Sequence, residues 1–161
     1  MMRYFFLFAI ITGFLSSCTT DLYPSRNVVP NLEINFTVDM NLPQFQQLLL
    51  PGGHVYVPNL GHKGIVIYSL NANDYYAYDL SCPHQACGSA MDRSNFPEFF
   101  NTCTNDGIFY SIAIPGYSMT YKKDDEDNRI DIPANASYEM QAYAVTNIGN
   151  GAQLHITNFK Y

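Results

Sequence analysis

The sequence predicts an all-β domain, a small antiparallel sandwich or barrel, on three observations. Thirteen tyrosines and eleven phenylalanines stand against no tryptophan, and such side chains pack well on a half-buried pleated surface. Residues 32–40, LEINFTVDM, alternate Leu32, Ile34, Phe36, Val38 and Met40 with polar partners, a strict period of two. Short runs of similar character recur along the chain between Gly, Asn, Asp and Pro turn signals, with no internal repeat and no long amphipathic helix between them.

Taken in order, residues 1–17 stand outside that fold. MMRYFFLFAIITGFLSSC carries one positive charge at Arg3 and then an apolar run too short for a comfortable membrane span. It reads as an export signal. Its end, LSSC, resembles the processing box of bacterial lipoproteins. That resemblance implies cleavage before Cys18, acylation of Cys18 and anchorage to a lipid bilayer, where each buried methylene contributes about 0.8 kcal/mol. Residues 18–31 then form the lipidated cysteine and a polar tether with two prolines, and residues 32–161 the domain. Thr19 follows the cysteine, so no acidic residue there signals inner-membrane retention, which favours the outer membrane of the bacterial envelope.

Within the domain, residues 32–40 form the first strand. LPQFQQLLLPGG gives a short helical turn or an irregular connection, closed by Gly52 and Gly53. Residues 54–57, 64–70 and 75–80 are rich in β-branched and aromatic side chains and read as strands, with a turn at 71–74. Residues 82–98 have no periodicity and read as a loop. Residues 99–103 and 107–114 read as strands, and 115–137 as a loop-rich stretch containing DDED. That acidic run lacks the glycine and distal glutamate of an EF-hand loop and reads as a solvated tip. Residues 138–147 and 152–159 make a final hairpin across Gly149 and Gly151.

The formal net charge of −6 and only eight Lys and Arg residues argue against a nucleic-acid partner. Chemistry concentrates in LSCPHQACGS and NTCTNDGIFYSI, which supply Cys82, His84 and Cys87, then Cys103 and Asp106 before Gly107. This spacing, Cys-x-His and then Cys-x-x-Asp-Gly, resembles the Rieske iron–sulfur domain, whose two loops carry Cys-x-His and Cys-x-x-His. The resemblance covers roughly residues 32–159. It implies a Rieske-like antiparallel sandwich or barrel with the two loops at one tip, a [2Fe-2S] cluster, electron transfer and a redox partner. Residues 63–84 resemble the paired strands leading into the first loop. Residues 103–112 resemble the second loop with its exit strand, and the last two strands resemble the closing hairpin.

Carried over residue by residue, Cys82 and Cys103 fall on the sulfur-ligand positions and His84 on a histidine-ligand position. Asp106 stands where the second histidine is found. Cys87 falls on the cysteine that in many members bridges the loops, and Asn105 stands where its partner is found. A carboxylate is a harder ligand than imidazole and brings a negative charge that lowers the potential. The single arginine before the apolar run also implies export of an unfolded chain, which a cluster assembled beforehand would not survive. Two further readings therefore stand beside the cluster. Zinc can take Cys82, His84, Cys103 and either Cys87 or Asp106. Alternatively, two of Cys82, Cys87 and Cys103 form a disulfide, leaving a non-redox binding or structural lipoprotein with an envelope protein partner. A cysteine nucleophile beside His84 is the weakest option, because nothing nearby orients the imidazole, and no catalytic residue is assigned. His54, His62 and His155 sit in or beside strands and read as structural or surface residues.

Overall fold

A computed structural model describes residues 29, 30, 32–83, 89–100, 107–114, 118–132 and 138–158. Eleven strands among them form two antiparallel sheets, and the all-β class expected from the sequence is observed. The first sheet, curled into a half-barrel, holds β1 (Asn35–Asp39), β2 (His54–Val57), β3 (Ile65–Ser69), β4 (Tyr75–Asp79), β10 (Ala142–Ile148) and β11 (Gln153–Asn158). Its order is β1-β11-β10-β4-β3-β2. The second sheet runs in simple sequence order through β5 (Asp92–Asn95), β6 (Glu98–Phe100), β7 (Ile108–Ser111), β8 (Met119–Lys123) and β9 (Arg129–Asp131). It is thus a sequential meander inserted between β4 and β10.

Period-two alternation in β3 and β4 explains why there are two cores. Ile65, Ile67, Tyr75 and Ala77 face one way, into a core shared with Val38, Leu154 and Ile156. Val66, Tyr68 and Tyr78 face the other way, toward Phe99, Ile108 and Tyr110 of the second sheet. All five residues of β3 are buried, so this strand is a wall common to both cores. Such a strand reads as a continuous apolar run rather than as an alternation.

The edges are finished locally. The segment LPQFQQLLL carries a 3-10 helix over Pro43–Leu49 that buries Leu48. The Asn158 side chain prolongs the β1–β11 ladder, accepting from Ile34 N at 2.5 Å and donating to Leu32 O at 2.5 Å. Val29 is already buried, inside the stretch read as tether.

Two expectations are corrected. Residues 82–98 are not all loop, because β5 occupies Asp92–Asn95. All four of its residues are exposed, so no apolar period marks it. Residues 115–137 likewise contain β8 and β9, paired through Tyr121↔Asp131, Lys122↔Ile130 and Lys123↔Arg129. The acidic run is their turn. Asp124 accepts from the backbone N–H groups of Glu126 and Asn128, an Asx-type closure of the kind Asp favours.

Candidate functional site

The candidate site grows from the end of β4. Leu80 N donates to Gly64 O at 2.9 Å, and Met91 N donates back to Leu80 O at 2.9 Å. These two bonds close the base of the first motif segment. The base of the second is the β6–β7 pair, with Phe100 opposite Phe109 and their rings 4.9 Å apart. Cys82, Met91, Phe99 and Tyr110 belong to one buried cluster, so the two bases lie side by side.

Cys82 is a free cysteine, only 2% exposed. Its Sγ lies 3.9 Å from Tyr110 Oη, within range of a sulfur hydrogen bond. Tyr110 is inward-facing because it shares the period-two face of β7 with Ile108. The other predicted site residues, His84, Cys87, Cys103 and Asp106, lie outside the described residues, as does Cys18. Among the described residues no three His, Cys, Asp or Glu side chains converge as a metal site. No helix of the described residues is long and apolar enough to cross a membrane.

Behind Cys82 sits a polar network that the sequence reading missed. Asp79 is fully buried, and its two carboxyl oxygens accept four hydrogen bonds. Oδ1 takes Ser81 N at 2.8 Å and Ser81 Oγ at 2.5 Å. Oδ2 takes His62 N at 2.7 Å and Tyr143 Oη at 2.8 Å. A buried carboxyl group is tolerated only with such full satisfaction. Burial and then the adjacent Asp79 charge push the Tyr143 phenol well above its ordinary range, so it stays protonated and donates.

The network also orients a histidine. Ser81 has one hydroxyl proton and gives it to Asp79. Its 3.0 Å contact with His62 Nδ1 must therefore be a bond donated by Nδ1–H. That directs the Nδ1 proton to Ser81 and leaves Nε2 as the other ring nitrogen of His62. Gly61 makes the close approach possible. Its φ is +70°, and a Cβ there would lie 2.3 Å from Asp79 Oδ2.

One signal in the sequence could have located this network. Asp79 is the only charge in the run YYAYDLSC, at the end of a strand that is otherwise aromatic and apolar. Tyr110 was legible in the alternation of Ile108, Tyr110 and Ile112. The other two described histidines are structural. His54 stacks on Phe96 at 3.7 Å, and His155 Nε2 meets Asn35 Oδ1 at 2.8 Å.

No protein-family model matches the chain, and comparison with curated proteins and with solved structures finds no match either.

Proposed function

We propose that this chain is a bacterial envelope lipoprotein, anchored through Cys18, whose domain is a Rieske-type scaffold of the electron-transfer class with an altered ligand set. The ligands in this reading are Cys82, His84, Cys103 and Asp106. The observation that carries it is the pairing of Cys82 Sγ with Tyr110 Oη at the shared base of the two motif segments. Either atom of this pair can donate, and donation by the phenol would suit a cysteine acting as a metal ligand, because the donor compensates lost hydration. The element order supports the same reading. Paired strands β3 and β4 lead to Cys82, β7 leaves the second motif, and β10 with β11 closes the chain.

A [2Fe-2S] cluster, when bound, supplies one-electron chemistry. The chain's own residues do the rest. Cys82 is held dry by Met91, Phe99 and Tyr110. The Asp79 network fixes the backbone one residue earlier through Ser81 N. Asp106 in place of an imidazole adds negative charge and favours a low potential.

A second reading is a metal-free scaffold that binds an envelope protein, and the free, buried state of Cys82 favours it. Iron and acid-labile sulfide, measured on protein taken from its native envelope, decide between them. Stoichiometric iron and sulfide, with a low-temperature paramagnetic signal on reduction, are expected for the electron carrier. Zinc alone, or a colourless metal-free protein, overturns it.

A further inference from the structure

The loop between β2 and β3, the end of β4 and the start of β5 border a half-open cavity of about 280 Å³. Val57 and Leu80 form its apolar wall, and Asn59, His62, Lys63 and Arg93 its polar one. Three basic side chains meet here in a chain with eight Lys and Arg residues, four His and a net charge of −6. None of the described residues lining the cavity is acidic. The nearest buried acid, Asp79, has both oxygens taken up by its four donors.

Two of the basic groups are held ready. The Arg93 guanidinium lies 4.5 Å over the Tyr56 ring, and Tyr56 Oη reaches Arg93 O at 3.4 Å. Stacking fixes the plane of a group whose fork matches carboxylate and phosphate oxygens, at little entropic cost. No carboxylate among the described residues pairs with it. His62 is anchored at its backbone N–H and at Nδ1. Its Nε2 therefore remains for a ligand. A protonated imidazole donates there, and a neutral one accepts from an acid that arrives protonated.

We propose that this cavity binds a small oxyanion, a carboxylate or phosphate, with Arg93 and His62 as its principal ligands and Lys63 adding positive charge. The volume lies just below the ~300–1,000 Å³ common for small-molecule pockets, which suits a solute of a few heavy atoms. None of its described lining residues belongs to the predicted ligand set.

The test uses the full chain in detergent, followed by NMR of the His62 ring nitrogens and the Arg93 side chain. Sodium phosphate and sodium succinate are titrated separately against sodium chloride of equal ionic strength. Saturable shifts at both residues are expected with at least one of the two. Saturation by phosphate alone assigns phosphate, and by succinate alone assigns carboxylate. Arg93→Gln keeps part of the stem on an exposed strand and should weaken binding by about tenfold. His62→Phe should weaken it as well. Shifts that never saturate, that sodium chloride reproduces, or that persist unchanged in Arg93→Gln overturn the proposal.

Discussion

Tyr110 Oη and Cys82 Sγ, 28 positions apart in sequence, face each other at 3.9 Å where the two sheets meet. One belongs to β7 of the inserted meander and the other to the chain leaving β4 of the half-barrel. The contact therefore joins the two motif segments at their bases through a sulfur and a hydroxyl, in a region from which water is excluded.

Tyr110→Phe removes that hydroxyl and keeps the ring. If the proposed [2Fe-2S] cluster is bound, the reduction potential should fall by about 40 mV, the one-electron equivalent of about 1 kcal/mol for one hydrogen bond. The direction follows because a donor to sulfur favours the more electron-rich reduced state. A redox titration of wild type and variant measures it, and an unchanged or higher potential removes Tyr110 from the site.

Asp79→Ala strands four buried or half-buried donors, those of Ser81, His62 and Tyr143. A loss of roughly 3 kcal/mol or more is expected in urea unfolding. Gly61→Ala should cost about 2 kcal/mol by itself, from a left-handed backbone and a Cβ pressed on Asp79. The two losses should not add, because both act on one network. A double-mutant cycle with additive losses would contradict the coupling.

Burial holds the His54 imidazole below its ordinary value of 6.5, against an opposing hydrogen bond with the Gly52 backbone. The folded state thus binds fewer protons at His54 than the unfolded state. The stability contribution is full above 6.5 and is lost as pH falls from there through the lower folded value. Histidine NMR should place its midpoint below 6.5. His54→Phe, which keeps a ring against Phe96, should flatten the stability profile between about pH 7 and pH 5.

Tyr78 buries its hydroxyl with no hydrogen-bond partner among the described residues. Burial first, then its neighbours Tyr76, Glu139 and Tyr68, push the phenol up to about 12. Tyr78→Phe should leave stability unchanged or raise it by up to about 1 kcal/mol, since it removes an unsatisfied polar atom and little volume. A thermal melt suffices to check it, and a clear loss would reveal a partner for the hydroxyl.

The fold was legible where burial is one-sided or complete. Val38, flanked by Phe36 and Met40, announced β1 by alternation, and Ile65 to Tyr68 announced β3 by an unbroken apolar run. β5 and β9 were not legible, because every one of their residues is exposed and only backbone pairing makes them strands. The site was half legible. Cys82 stood out by chemistry, and Tyr110 could have been found by counting twos. The histidine that matters to the cavity, His62, was set aside as structural. Its role depends on Ser81 and Asp79, nineteen and seventeen positions away, and no local pattern encodes that encounter.

Because β3 and β4 turn their second faces to the meander, the meander has no interior of its own, whereas the half-barrel closes one core from its own strands. Amide protons of Val66 and Ile67 should be the last to exchange, and the meander should not outlast the half-barrel. Dependence between the two halves therefore runs one way: the meander leans on a wall that the half-barrel could hold up alone.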